Sequence, residues 1–333
     1  MKKILIFGVL LLAVQSIAAY DVKVDDIHYN LDQEHMTASV KGCEWWISGI
    51  SIPESIEAKD KEYIVTCIAD SAFMNNGNLS GVDIPSTVVE IGKMAFRSCS
   101  RLSFAEIPAS VKNIGEMAFA GCSSIDRFVV DAENPNYCTE EGILYDKRKK
   151  RLIQCPMKKT GEVVVPDFVV EVCTYAFHKC TGVWSVILPN SVRIIGDKSF
   201  DNNDNLVEIT MGTSVQIVGH QAFDQCKNLK NIYCQAATPP TAYDDTFDYT
   251  WIEYAKLHVL SSSILTYKKT RPWNWMDEIV ALTQREIEVG IEEVGASSGN
   301  AEYFSLDGKK APNGTKGIKV VKQVGKKAKK VVY

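Results

Sequence analysis

Apolar residues recur along the middle of the chain with a period far longer than that of a helix or a strand, and such a period decides the architecture. Phe73, Phe96 and Phe119 follow one another in steps of 23 residues, and Phe177, Phe200 and Phe223 repeat the step. Five of the six sit in an Ala-Phe pair, Ser199-Phe200 being the exception. Five residues before each Phe stands an aliphatic residue: Ile68, Ile91, Ile114, Val172, Ile195 or Val218. Six residues after it, Leu79, Leu102, Ile125, Val183, Leu206 or Leu229 opens a Leu-x-x-hydrophobic-x-hydrophobic run. Pro85, Pro108 and Pro189 end three of these runs. Each run therefore reads as a short half-buried strand followed by a turn.

A unit of about 23 residues is too small to bury its own apolar face, so successive units must stack as coils. The pattern predicts a solenoid over 66–235, of α/β class, with short parallel strands and short helical turns. Its Phe, Ile and Leu columns are expected to form one continuous core. A further column lies three residues after each Phe: Asn76, Cys99, Cys122, Cys180, Asn203 and Cys226. In an inward-facing slot, a small Cys or Asn fills space or satisfies a backbone group of the neighbouring coil, giving a structural ladder. Zinc is the rival reading, but its Cys ligands come as close pairs, and no such pair is present. A Cys99–Cys122 disulfide also stays open, because adjacent coils lie ~5 Å apart.

The step from Phe119 to Phe177 is 58 residues, one repeat plus 35. The extra residues, at about 132–163, predict a hairpin within an elongated coil, with a basic turn at Lys147 to Arg151. That cluster is either a solvated tip or a contact for an acidic ligand. Solenoids need special ends. Residues 20–65 carry alternating stretches, Ile27 to Leu31 and Met36 to Val40, that suit a β-rich N-terminal cap. Residues 236–283 suit a C-terminal cap with an aromatic plug at Trp273 and Trp275. An acidic, then Gly- and Ser-rich stretch at 284–300 reads as a linker, and 301–333 as a small basic hairpin or tail with nine Lys after Asp307.

Lys2 and Lys3 precede an apolar run from Ile4 to Val14, closed by Ala18 and Ala19, which reads as a signal peptide over 1–19. A retained membrane anchor is the alternative. There is no second apolar segment of membrane length, so the mature chain is expected to be secreted or exposed at the cell surface, in the outer membrane or outside it. The 37 basic and 41 acidic side chains give no overall field for nucleic acid. Ten cysteines over 333 residues are too sparse for a stapled scaffold.

Units such as Ile107-Pro-Ala-Ser-Val-Lys-Asn-Ile-Gly-Glu-Met-Ala-Phe-Ala-Gly-Cys-Ser-Ser-Ile125 resemble BspA-type leucine-rich repeats, and the likeness runs from about Ile27 to Leu282. The tail from Tyr303 is similar to carboxy-terminal segments of exported proteins in Gram-negative anaerobes, some of which act in sorting or surface attachment. The resemblance implies an exported surface protein that adheres to host proteins or other bacteria.

No catalytic constellation can be assembled. The five His, at 28, 35, 178, 220 and 258, are scattered, and neither a phosphate-cradling Gly loop nor a His-Glu-x-x-His is present. An enzyme, a metal and a cofactor are therefore not expected. Binding would use the outward residues of the Leu-x-x strands, in two columns. The first is Gly81, Phe104, Arg127, Ser185, Glu208 and Asn231; the second is Asp83, Glu106, Val129, Ile187, Thr210 and Tyr233. The candidate ligand-binding set is Phe104, Glu106, Arg127, Val129, Ile187, Glu208 and Tyr233, with a protein partner. A glycan surface using Trp184, Trp251, Trp273 or Trp275 is the alternative.

Overall fold

The fold is that of a computed structural model, which describes residues 22–283, Glu286 and, as backbone, the strands Glu302–Phe304, Ile318–Lys322 and Lys329–Val332. The expected signal peptide at 1–19 and nearly all of the expected linker at 284–300 lie outside the described residues.

The chain winds as a parallel-strand solenoid of about 11 turns with a spacing of about 23 residues. Each regular coil has three sides. The Leu-x-x run supplies a strand on one face, as in Phe104–Ile107, which pairs in parallel with Arg127–Val130. The aliphatic residue before the Phe supplies a two-residue strand on a second face, as in Glu90–Ile91 pairing with Asn113–Ile114. The Phe lies on the third side, an arc of consecutive turns. Helical segments among the described residues run only from Ile252 to Trp275, in the C-terminal cap, apart from Glu286.

The arc is not helical because residues two before and two after the Phe adopt left-handed backbone. Ser71 and Asn75, Met94 and Ser98, and Lys198 and Asn202 have φ between 52° and 63°. Such residues cost roughly 1–2 kcal/mol each and interrupt a right-handed helix. They persist because every second N–H of the arc bonds the next coil: Ser71, Phe73 and Asn75 donate to the carbonyls of Lys93, Ala95 and Arg97 at 2.8, 2.7 and 2.8 Å. Coils approach so closely at the arc's start that Cβ atoms are excluded there. A Cβ on Gly92 would stand 2.5 Å from the Asp70 nitrogen, and one on Gly219 would stand 2.6 Å from that of Asp197.

Within the coils the Phe rings stack. Centroid separations are 5.2 Å for Phe73–Phe96, 5.3 Å for Phe96–Phe119 and 4.9 Å for Phe177–Phe200. The interplanar angles, 11°, 4° and 14°, give offset stacking of fully desolvated rings. Phe247, one residue out of the 23-residue step, extends the column 5.6 Å beyond Phe223. Trp273 then closes it edge-on at 5.8 Å, and its indole N–H donates to the Pro240 carbonyl at 2.8 Å.

The columns do not form one continuous core, contrary to expectation. One buried cluster runs from Ile27 to Phe128 and includes Leu144; another runs from Ile143 and Tyr145 to Met276. The insert divides them. It holds three strands, Tyr137–Glu140, Ile143–Asp146 and Arg151–Gln154, paired antiparallel in order, so it adds one strand to the expected hairpin. Arg151–Gln154 then rejoins the regular stack by pairing in parallel with Glu171–Val172.

At the amino end Val22–Val24, Ile27–Asp32 and Thr37–Cys43 form an antiparallel meander, and Thr37–Cys43 passes into the stack by pairing in parallel with Lys61–Ile68. The strands Glu302–Phe304, Ile318–Lys322 and Lys329–Val332 belong to a unit of their own and make an antiparallel sheet with Ile318–Lys322 in the middle. No helix among the described residues is long and apolar enough to cross a membrane.

Candidate functional site

The Leu-side strands present the predicted outward columns, but in two separate groups. Phe104 lies opposite Arg127, and Glu106 opposite Val129, on one strand pair. Phe104, Val129, Glu106 and Arg127 are all exposed, with the Arg127 guanidinium 5.9 Å from the Phe104 ring centre. Asp126 pairs with the same guanidinium at 3.2 Å. The next element is not a repeat strand but the insert: Phe128 donates to the Gly142 carbonyl at 2.9 Å, and Gly142 lies against the Arg127 Cβ.

Beyond the insert, Gly161–Val164, Val183–Leu188, Glu208–Met211, Asn231–Cys234, Lys256–Val259 and Glu278–Ala281 form one parallel sheet. Ile187, Thr210, Tyr233 and His258 stand in register across it, beside Ser185, Glu208, Asn231 and Lys256. Ile187, Glu208 and Tyr233 are half-buried. Ser185 and Thr210, expected to face solvent, are buried at 2% and 8% exposure. Each is a short side chain in register between longer neighbours that cover it. Trp184 is the extra residue of a bulge opposite Gly161 and Glu162, which turns its ring outward.

Two strands carry this surface past its predicted end. Tyr233 and His258 rings lie 4.4 Å apart, and the His258 Nδ1 is 3.5 Å from Glu286. Burial lowers the His258 pKa, opposed by the Glu286 carboxylate, and burial raises that of Tyr233. Lys256 pairs with Glu278 at 2.7 Å. The alternation of Lys256-Leu-His-Val259 was the available signal for this extension. Sequence reasoning missed Trp45 and Trp46, 72% and 53% exposed ahead of the first repeat. Neither belongs to a repeat.

The column behind the Phe arc is linked coil to coil. Cys99, Cys122 and Cys226 donate their thiols to the carbonyls of Phe73, Phe96 and Phe200 at 3.0, 2.9 and 3.1 Å. The Asn203 amide donates to Phe177 at 2.8 Å in the same way. Cys180, which follows the insert, meets the carbonyls of Cys155 and Pro156 at 3.8 Å. Asn76, which opens the series, donates to the Cys43 sulfur at 3.4 Å. All ten thiols are unpaired. Burial pushes those of Cys43 and Cys67 up to about 11 and that of Cys173 up to about 12.

Neither His178 nor His220 meets the other. His178 lies 3.0 Å from Asp201, and His220 lies 2.9 Å from Asp245 and stacks on Tyr243 at 3.6 Å. Among the described residues no group of three or more His, Cys, Asp or Glu could hold a metal ion.

This repeating geometry has a counterpart. The BspA type leucine rich repeat region matches residues 47–140 and 154–267 in six copies. The chain belongs to the BspA-type leucine-rich-repeat family. The unmatched residues 141–153 hold the second strand of the insert and all but the last residue of the third, the part of this BspA-type chain that departs from a repeat. Solved structures match the chain at low identity. A leucine rich cell surface protein of Faecalibacterium prausnitzii is 20% identical over 81% of this chain and 97% of its own, with a TM-score of 0.43. The pneumococcal vaccine antigen PcpA is 16% identical over 79% and 98%, with a TM-score of 0.46. A leucine-rich repeat protein of Eubacterium ventriosum is 18% identical over 78% and 83%, with a TM-score of 0.48. No curated protein matches the chain.

Proposed function

We propose that this BspA-type protein is exported to the cell surface and there binds another protein, host or bacterial, without catalysis. The observation that carries the reading is the Phe104–Arg127 pair. An aromatic ring and a guanidinium stand exposed on neighbouring coils, 5.9 Å apart, flanked by Glu106 and Val129. Aromatic and Arg side chains dominate the energetics of protein interfaces, and rigid parallel strands hold them without further ordering cost. Ile187, Glu208 and Tyr233 form a second contact area on the sheet beyond the insert. The 1–19 segment directs export, and the basic 301–333 unit serves retention at the surface.

The test is a variant with Phe104, Arg127 and Tyr233 all changed to Ala. It should keep the parent's thermal midpoint and lose capture of its partner in a pull-down from host extracellular proteins. Undiminished capture by the folded triple variant would refute the assignment.

Glycan binding is the second reading, and it rests on different residues. Trp273 is buried in the cap, whereas Trp251, Tyr249 and Tyr254 are 58%, 77% and 76% exposed within six residues of one another. Such rings are suited to stacking on sugars. Binding on a glycan array that is lost with Trp251→Ala, and not with the triple variant, would favour this second reading.

A further inference from the structure

The insert leaves a cleft of about 560 Å³ between the coil of Phe119 and the one that follows. Its origin lies in the arc. Met157 stands five residues after Leu152, where a regular coil has its Phe, and Cys155-Pro156 replaces the usual start of the turns. The insert coil therefore supplies only part of an arc, and the backbone edge of the preceding coil goes uncovered. In regular coils the Ile91 carbonyl accepts from Gly115 at 2.7 Å, and Met94 and Phe96 donate to Glu116 and Ala118 at 3.0 and 2.8 Å. The corresponding groups one coil on are the Ile114 carbonyl and the N–H groups of Met117 and Phe119. Among the described residues none of these three has a hydrogen-bond partner. On the opposite wall the Ala176 carbonyl is taken by Cys155, while the Thr174 carbonyl likewise has no partner among the described residues.

Backbone donors and acceptors at strand spacing on one wall, and an acceptor on the other, form the pattern that an extended polypeptide satisfies along both edges. We propose that the cleft between the Phe119 coil and the insert binds an extended peptide segment, which supplies the missing rung of the arc. The peptide accepts from Met117 and Phe119 and donates to Ile114 and Thr174. Of the charges that line the cleft, Glu116 is paired with Lys93 at 3.2 Å and Arg151 with Glu171 at 3.0 Å, and Asp146 accepts from the Arg151 N–H at 2.7 Å, which leaves Lys112 without an ion pair among the described residues. Recognition therefore falls mainly to the backbone, and side chains of modest size are preferred. A cleft of this volume lies within the range of built ligand sites. The site is independent of the outward columns on the Leu-side strands.

The experiment uses the full chain and three blocked heptapeptides of alternating Thr and Val, Ser and Tyr, or Gln and Ile, each at about 1 mM, since unoptimised peptides bind weakly. At least one should slow hydrogen exchange at the Met117 and Phe119 amides about tenfold or more. The same peptide N-methylated at alternate residues should give no protection, and neither should the parent peptide with the Thr174→Trp variant, whose side chain fills the cleft. Lack of protection by all three peptides would overturn the proposal. So would equal protection by the N-methylated peptide, which cannot complete the strand pairing.

Discussion

Phe200 lies over Phe223 with ring centroids 5.1 Å apart and planes 5° from parallel, each ring at most 1% exposed. One coil's ring is thus the floor of the next coil's pocket. Truncating it removes contacts on two sides and leaves a hole that a chain fixed by inter-coil hydrogen bonds cannot close. Phe200→Ala should therefore cost about 3–5 kcal/mol. Chemical denaturation compared with the parent chain measures this. A loss below about 1 kcal/mol would mean that the stack is not what holds the coils together.

The arc glycines give a paired prediction. Gly219→Ala places a methyl against the Asp197 backbone of the preceding coil, whereas the same change at Gly81 meets open space. Overpacking should cost Gly219→Ala about 1–3 kcal/mol. Gly81→Ala should be neutral or slightly stabilising through its effect on the unfolded chain. Equal thermal midpoints for the two variants would remove close coil approach as the reason for glycine here.

Thiol chemistry reads the burial directly. The reactive species is the thiolate, and burial pushes Cys43 and Cys67 up to about 11 and Cys173 up to about 12. At pH 8 their thiolate fractions fall ~100-fold or more below that of a free cysteine. Alkylation of the native chain should be slow at every cysteine, and denaturant should release all ten at once. Fast native labelling of Cys99, Cys122 or Cys226 would mean that the thiols do not point into the stack.

Asp224 should oppose folding at neutral pH. Its carboxylate is 8% exposed, its Oδ1 has no hydrogen-bond partner, and its pKa is raised by burial and then by Asp201. The folded-state value lies above the unfolded one near 3.8. The group's favourable contribution is present in acid and lost as pH rises through the folded value. Asp224→Asn should stabilise the chain at pH 7 by on the order of 1 kcal/mol and make little difference near pH 3. Thermal melts at the two pH values check both halves, and destabilisation at pH 7 would show that the charge has a favourable partner.

Much of this could be read from side-chain spacing. The Phe, Ile and Leu columns, the strand runs and the inward Cys and Asn slots are local periodic facts, and each coil repeats the environment of the last. What was misread or passed over involves residues whose surroundings change from coil to coil. Ser185 and Thr210 carry an outward phase but are buried by longer neighbours in register. Phe247 joins the stack one residue out of step because the cap chain takes a longer path. The spacing predicts short turns but not their handedness, and left-handed residues at both flanks of each Phe shape them. No composition rule marks Met94 or Lys198 as left-handed.

Periodic spacing alone dictates that this chain stacks, because a short unit carrying the same apolar columns can bury them only against its neighbours. Tertiary structure alone decided where the stack is interrupted and what faces the interruption. Leu144 packs with the amino-terminal cluster while Ile143 and Tyr145 pack with the other, and the Ile114, Met117 and Phe119 backbone groups border the cleft. A periodic pattern states what each coil must hide. Whether a backbone edge meets its partner depends on the path of residues brought near only by folding.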